Sequence, residues 1–242
     1  MTQQPPGYGP SGQPPHVRWT PPPPQGYQPP PGYPPPGYPQ PVPVAPLAPL
    51  APAKPTFGSA LFFVGGLLAL MWAVETVDFL MAGALDSYGI LPRRIDRLPA
   101  VLVAPLLHFG FGHLMANSLP FLALGTLTRM AGRREFWLAT LCAVLGSGLG
   151  AWLLGPPRSI TAGASGVIFG WLVFLLVRGL IARNWKQILL AAVVFGFFGG
   201  MLWGVFPTVP GVSWQAHLGG AVGGLLAAWV VGGRPKPRAL TR

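Results

Sequence analysis

Six stretches of the chain are apolar for about the length that a helix needs to cross a bilayer. They span residues 57–80, 101–127, 136–155, 163–182, 187–206 and 214–232. The hydrocarbon core of a membrane takes about 20 apolar residues in helical form, and the breaks between the stretches hold proline, glycine and arginine. The pattern predicts an all-α polytopic membrane protein with six transmembrane helices. Pro120 and several polar residues interrupt the second stretch, so we expect its first residues to lie in a loop outside the helix.

The first 55 residues have a different composition from the rest. Most of the 32 prolines lie there, and Pro-Pro-Gly-Tyr recurs at 5–8, 30–33 and 35–38. Such a segment has little apolar surface to bury, so we expect a disordered tail, partly in the polyproline II conformation. The alternative is a docking arm for a proline-binding partner. No charged segment leads into a short apolar one, so no cleavable signal peptide is expected. The predicted organisation is a cytoplasmic tail (1–55), a membrane domain (56–232) and a basic cytoplasmic C-terminal tail (233–242).

The distribution of lysine and arginine predicts the orientation in the membrane. With six crossings, twelve of the sixteen basic residues lie on the same side as both termini. Basic loops stay in the cytoplasm, so we expect a multi-pass protein of the cell membrane with both termini cytoplasmic. The four basic residues on the outer side are Arg93, Arg94, Arg97 and Arg158. Topology thus explains most of the net charge of +11, and nucleic acid is not needed as a partner.

Four polar residues then share one depth, in the outer half of the bilayer. His113 and Asn117 lie early in the second stretch, Ser165 in the first turn of the fourth and His217 in the first turn of the sixth. All three stretches run from outside to inside in the predicted orientation. An ionisable group inside a membrane segment usually marks a cavity, a proton path or a catalytic site.

Ser165 has two interpretations. Small residues in membrane helices usually serve close packing, which is the simpler reading of a serine beside glycines. A hydroxyl becomes a nucleophile only when a base takes its proton, and histidine is the usual base near neutral pH. Gly220 and Gly224 lie on the same helix face as His217, so a second helix can approach closely and bring a hydroxyl to the imidazole.

His113 and Asn117 are four residues apart, so they share one helix face. Both donate hydrogen bonds. If that face meets Ser165, they and the Ser165 backbone N–H can stabilise the oxyanion of a tetrahedral intermediate, where one donor contributes about 10²–10³ in rate. The alternative is a structural bridge between helices.

Two other features bear on function. Glu75 and Asp78, near the outer end of the first stretch, suggest a cation or proton site as in transporters, or carboxylates that are solvated or paired with Arg93 or Arg97. The single cysteine, Cys142, excludes an intramolecular disulfide. A zinc site would have to use the same histidines as the proposed chemistry, so no metal or other cofactor is expected.

Three motifs together resemble the rhomboid intramembrane serine proteases. They are His108-(x4)-His113-Leu114-(x2)-Asn117, Gly163-Ala164-Ser165-Gly166 and Ala216-His217-(x2)-Gly220-(x3)-Gly224, in this order and on separate predicted helices. The resemblance covers residues 57–232 and leaves the proline-rich tail unexplained. The family often carries a Trp-Arg pair in its first loop, and Pro99 and Ala100 occupy those positions here.

The resemblance implies a six-helix bundle whose shortened fourth helix begins at Ser165, beneath a water-filled cavity that opens to the outer side. Ser165 would be the nucleophile and His217 the general base, with His113, Asn117 and the Ser165 amide as the oxyanion hole. Supporting roles would fall to His108, which holds the first loop, to Gly163, which lies close to the substrate, and to Gly166, Gly220 and Gly224. The substrates implied are transmembrane segments of other proteins, with small residues at the cleavage point and helix-destabilising residues nearby, which the lipid bilayer delivers laterally.

The expected function is therefore that of an intramembrane serine endopeptidase. One alternative is a catalytically silent rhomboid-like protein that binds membrane segments. The other is a small proton-coupled transporter that uses Glu75, Asp78 and His217. The sequence predicts neither the natural substrate nor the oligomeric state.

Overall fold

The computed structural model describes residues 54–232, together with Gly26 and Gln28. The predictions of a disordered proline-rich tail and a basic C-terminal tail concern residues that, apart from a few positions, lie outside this range. Between residues 54 and 232 the regular secondary structure is helical, and the β pairing there is a single bridge between Ile90 and Thr161.

Seven α-helices follow one another in the described range. They are α1 (Phe57–Leu80), α2 (Ala100–Val103), α3 (Phe111–Ala131), α4 (Arg133–Leu154), α5 (Ser165–Ile181), α6 (Trp185–Phe198) and α7 (Trp214–Gly232). Short 3-10 segments lie between them at Ala84–Tyr88, Ile95–Arg97, Ala104–Leu106 and Gly199–Val205. The second apolar stretch is divided as expected, because its first residues form α2 and a turn, and α3 begins only at Phe111.

Four helical segments are long and apolar enough to cross a membrane: α1, α4, α7, and α6 together with the 3-10 segment that follows it. The bent pair Ile95–Leu106 and Phe111–Ala131, with an angle of 70°, makes a fifth if it is counted as one span. The remaining apolar helix, α5, has 17 residues. The chain is thus a multi-pass membrane protein, and its regular structure between residues 54 and 232 is helical.

Helices α1 and α3 pack against each other in antiparallel order. The Arg129 guanidinium, near the end of α3, lies 4.6 Å from the ring centre of Phe63 near the start of α1. Further along α1, the indole N–H of Trp72 donates to Ser118 Oγ at 3.2 Å. The start of α1 therefore lies against the end of α3, and the later part of α1 lies against an earlier part of α3.

Helix α7 packs against α5 through backbone rather than side chains. A Cβ atom on Gly220 would lie 2.7 Å from the carbonyl carbon of Gly166, and one on Gly224 would lie 2.7 Å from the carbonyl carbon of Gly170. Other glycines of α7 meet α4 at similarly short range. Because the side-chain layer is missing on both faces, α7 fits closely between its two neighbours.

The loop between α1 and α3 is held by the end of α4. The Arg93 amide donates to the Trp152 carbonyl at 3.0 Å, and the Trp152 indole N–H donates to the Arg94 carbonyl at 3.0 Å. The Arg93 side chain also donates to the Gly155 carbonyl at 2.9 Å. A tryptophan and an arginine thus anchor this loop, although the tryptophan comes from α4 and not from the loop itself.

The prediction that Glu75 and Asp78 are solvated or paired with arginine is wrong. Both side chains are buried, with exposed fractions of 2% and 5%, because the chain after α1 folds back over them and the Leu85 amide donates to Asp78 Oδ1 at 2.6 Å. Arg93 and Arg97 donate to main-chain carbonyls instead.

Candidate active site

Ser165 and His217 meet across two helices. Ser165 is the first residue of α5 and His217 lies in the first turn of α7. The distance between Ser165 Oγ and His217 Nε2 is 2.8 Å, which is hydrogen-bond distance. The close packing of α5 and α7 at Gly166 and Gly220 is what brings the two side chains together.

The second ring nitrogen of His217 determines which way the hydrogen bonds run. His217 Nδ1 lies 2.9 Å from the carbonyl oxygen of Gly204, in the 3-10 segment that follows α6. A carbonyl oxygen only accepts, so Nδ1 carries the proton and Nε2 has a free lone pair for the Ser165 hydroxyl proton. The Gly204 carbonyl thereby orients the imidazole, which is the role of the carboxylate in a Ser-His-Asp triad.

Phe169 fixes the plane of the His217 imidazole. It lies one turn after Ser165, and its ring stacks on the imidazole with centroids 4.2 Å apart and an angle of 10°. The backbone of Gly204 closes the remaining space, since a Cβ there would lie 2.8 Å from Phe169 Cζ and 3.1 Å from His217 Nδ1. Neither residue was predicted from the sequence. The four-residue spacing between Ser165 and Phe169 could have pointed to Phe169 as a residue near the site. Nothing in the sequence distinguishes Gly204 from other glycines.

A cavity of about 500 Å³ contains the polar residues that the sequence singled out. Its wall includes Ser165, His217, His113, Asn117 and Gly163. The structure therefore brings together residues from α3, α5 and α7 that are far apart in the chain. Within residues 54–232, no three His, Cys, Asp or Glu side chains are grouped so that they could hold a metal ion.

His113 presents a donor at the cavity wall. The Phe109 amide donates to His113 Nδ1 at 3.4 Å, so the neutral ring carries its proton on Nε2. Gly163 lies against this ring, where a Cβ would be 3.0 Å from Nε2, and its φ of 120° is one that residues with side chains rarely adopt. Glycine at this position leaves room for the imidazole.

Asn117 and the Ser165 amide are two further donors at the cavity. The Asn117 side-chain amide donates one hydrogen bond to the His113 carbonyl at 3.0 Å, and its second N–H is not used by any described residue. The Ser165 amide is in the first turn of α5, where helix amides have no intrahelical partner. It makes no main-chain hydrogen bond within the described range.

The extended segment that precedes Ser165 is tied to the first loop. The Ala164 amide donates to His108 Nε2 at 3.3 Å, and the Gly163 amide donates to the Ala104 carbonyl at 2.9 Å. His108 is almost completely buried and packs edge-on against His113 at 5.1 Å between ring centroids. The start of α5 is therefore positioned by the loop before α3 as well as by its own helix.

Gly166 and its neighbours complete the packing around the site. A Cβ on Gly166 would lie 2.6 Å from Cβ of Ser147 in α4 and 3.2 Å from the Ala216 carbonyl oxygen in α7. Gly166 thus allows α4, α5 and α7 to meet directly beside Ser165.

The chain is similar in sequence to one known family and to several individual proteins. The family model of the Rhomboid domain matches residues 96–234. An uncharacterized protein of Mycobacterium tuberculosis is 45% identical over 185 residues, which cover 72% of this chain and 77% of that protein. An uncharacterized protein of Mycobacterium leprae is 40% identical over 184 residues, which cover 70% of this chain and 72% of that protein. The rhomboid protease GluP of Bacillus subtilis is 33% identical over 142 residues, 54% of this chain and 26% of its own length.

Proposed function

The chain belongs to the rhomboid family, and from this premise we propose that it is an intramembrane serine endopeptidase with Ser165 as nucleophile and His217 as general base. The observation that carries the proposal is the 2.8 Å distance between Ser165 Oγ and His217 Nε2 in a shared cavity. The Gly204 carbonyl at His217 Nδ1 supports the base assignment, because it leaves Nε2 free to accept a proton.

The proposed reaction has two halves. His217 Nε2 takes the hydroxyl proton as Ser165 Oγ attacks the carbonyl carbon of the scissile peptide bond, and the resulting imidazolium then protonates the departing amine. The acyl-enzyme is hydrolysed by water, whose proton passes to His217 Nε2 and then to Ser165 Oγ as the acyl group leaves. The Gly204 carbonyl stabilises the imidazolium through Nδ1–H in both halves.

The proposed oxyanion hole consists of His113 Nε2–H, the free amide N–H of Asn117 and the Ser165 backbone N–H. The donor state of each follows from its other hydrogen bonds, since His113 Nδ1 already accepts and Asn117 already donates its first N–H. Removing one such donor lowers rates by about 10²–10³.

The short length of α5 supports a water-accessible site inside the bilayer. Its 17 residues extend roughly 26 Å at 1.5 Å per residue, less than the ~30 Å thickness of the hydrocarbon core. When its C-terminal end reaches one interface, Ser165 lies below the other. We propose that α5 and the bent α3 segment are two of six membrane spans, that both termini are cytoplasmic and that the site faces the outer half.

The proposed substrates are transmembrane segments of other membrane proteins that enter the cavity from the bilayer. Peptide bonds in a helix are shielded by the helix's own hydrogen bonds, so segments with helix-destabilising residues near the cleavage point are favoured. The small residues Gly163 and Ala162, which both line the cavity, leave space for an extended substrate strand.

A fluorophosphonate probe on detergent-purified protein tests the assignment. Wild type should be labelled covalently, and Ser165→Ala and His217→Ala should lose labelling by a factor of about 10³ or more. Ser87→Ala is the matched control, because this serine lies in an exposed loop away from the cavity. Labelling that persists in Ser165→Ala would disprove the nucleophile.

Cleavage of a model transmembrane substrate separates the alternatives. A silent binding protein would retain the substrate and leave it uncut. A transporter would tolerate Ser165→Ala and fail with Glu75→Gln. Against the transporter, neither Glu75 nor Asp78 lines the cavity that contains His217.

A further inference from the structure

A second cavity lies at the other end of α3 from His113. It has a volume of about 490 Å³ between the start of α1 and the end of α3, and its wall includes Ser59, Phe62, Gly66, Arg129 and Arg133. We refer to these five residues as the basic pocket. Arg129 lies ~24 Å along α3 from His113 at 1.5 Å per residue, so the pocket is near the opposite membrane face from the proposed active site.

The Arg129 guanidinium is fixed in place without a counter-ion. It lies 4.6 Å from the ring centre of Phe63 and 5.6 Å from that of Phe136. Its Nε and Nη1 atoms are buried and have no hydrogen-bond partner in the described part of the chain. Aromatic rings stabilise such a cation only partly, and a desolvated charge without an acceptor is costly. Nη2, which is not among the buried atoms, is the guanidinium nitrogen that an anion in the pocket can reach, and an anion there would offset the buried charge.

No Asp or Glu side chain of the described range occupies this position. All the Asp and Glu residues of the chain, which are Glu75, Asp78, Asp86, Asp96 and Glu135, lie between residues 54 and 232. The one ion pair in that range joins Arg94 and Asp96. The acidic residue closest in sequence to Arg129 and Arg133 is Glu135, whose carboxyl group folds over Gly132. Within residues 54–232, no side chain supplies the anion that would neutralise the basic pocket.

The pocket is also continuous with the lipid-facing surface of α1. Phe62 is 86% exposed, and a side chain on Gly66 would meet nothing within 4 Å. A small soluble anion would leave this apolar wall uncovered, whereas a ligand with an anionic head and an acyl chain covers both parts. The arginine fork matches phosphate oxygens in particular.

We propose that the basic pocket binds the phosphate head group of an anionic phospholipid, with an acyl chain along Phe62 and Gly66. The lipid comes from the leaflet at this end of the bundle, which is the cytoplasmic one in the predicted orientation. That leaflet attracts basic segments because of its negative surface potential. The site holds the start of α1 against the end of α3, and its occupancy does not depend on proteolysis.

Native mass spectrometry of the full chain, titrated with phosphatidylglycerol, measures this binding. Arg129→Gln and Arg133→Gln should each weaken it by roughly tenfold or more, because each removes a charge-assisted hydrogen bond. Arg134→Gln is the matched control: it removes the same charge from the next residue, which is exposed and does not line the pocket. Arg133 is exposed, so its variant remains informative even if Arg129→Gln fails to fold.

A steric pair tests the same pocket without changing charge. Gly66→Leu places a side chain in the cavity and should abolish phosphatidylglycerol binding while both arginines remain. Gly65→Leu adds the same side chain to the neighbouring position, which also has open space but does not line the cavity, and should bind as wild type does.

Four results would each overturn the proposal. Equal weakening by Arg134→Gln and Arg133→Gln would indicate general surface charge. Unchanged binding by Gly66→Leu would place the lipid elsewhere. Equal affinity for phosphatidylcholine would mean that the head-group charge is not recognised. Displacement of phosphatidylglycerol by glycerol 3-phosphate at equal concentration would identify a soluble phosphate, not a lipid, as the ligand.

Discussion

Replacing Gly220 by alanine tests how the active site is assembled. Gly220 lies one turn after His217, and an added Cβ would lie 2.7 Å from the carbonyl carbon of Gly166, the residue that follows Ser165. Ordinary contact begins at 3.4 Å. Because the obstacle is main chain and not the tip of a flexible side chain, the two helices must move apart by most of an ångström.

The size of the effect follows from that separation. Overpacking of this kind costs about 1–3 kcal/mol of stability. The Ser165–His217 hydrogen bond, now 2.8 Å, would lengthen beyond hydrogen-bond distance, and a misplacement of ~1 Å between reacting groups costs about 10²-fold in rate. We therefore expect Gly220→Ala to fold with a lower melting temperature and to react with a fluorophosphonate roughly 100-fold more slowly.

Two matched variants separate positioning from stability. Gly224→Ala meets the Gly170 carbonyl carbon at the same 2.7 Å but lies a turn further from His217, so it should lose similar stability and less reactivity. Gly65→Ala in α1 meets open space and should change neither. Wild-type reactivity in Gly220→Ala would refute the idea that backbone contact between α5 and α7 positions the side chains of Ser165 and His217.

Two further predictions concern the site and the topology. Phe169→Ala removes the ring stacked on His217 and should lower fluorophosphonate reactivity by ~10²-fold. Phe169→Tyr keeps the ring and should retain most of the wild-type reactivity. Equal reactivity of the two variants would contradict the role of Phe169 in orienting the His217 imidazole. In intact cells, a membrane-impermeant thiol reagent should label Ser159→Cys, between α4 and α5, and spare Lys186→Cys, in the first turn of α6. The reverse pattern would invert the predicted orientation.

The first loop shows that one structural task can be met by different residues. Pro99 and Ala100 stand where the family often has a Trp-Arg pair, and the sequence therefore offered no anchor for the loop. In the structure, Trp152 of α4 exchanges hydrogen bonds with Arg93 and Arg94. The loop is thus held at α4 while its far end, at His108 and Ala104, holds the segment before Ser165.

The sequence by itself determined the helices and the residues worth considering. The limits of α1 and the start of α7 agree with the prediction to the residue, because the length of an apolar run and the residues that interrupt it are local properties of the sequence. The positive-inside pattern predicts one depth for Ser165, His113, Asn117 and His217 without any knowledge of packing, and the structure brings all four to one cavity. The three motifs then pointed to the family that the comparisons establish.

Tertiary structure decided everything that depends on which surfaces meet. The Ser165–His217 contact joins residues from different helices, and the Gly204 carbonyl and the Phe169 ring acquire their roles only because α5, α7 and the 3-10 segment after α6 converge. Burial of Asp78, against expectation, has the same cause: the Leu85 amide that donates to it belongs to a segment after α1 whose path no local pattern specifies. Helix formation is decided within a few turns, whereas the site is decided by close packing between helices.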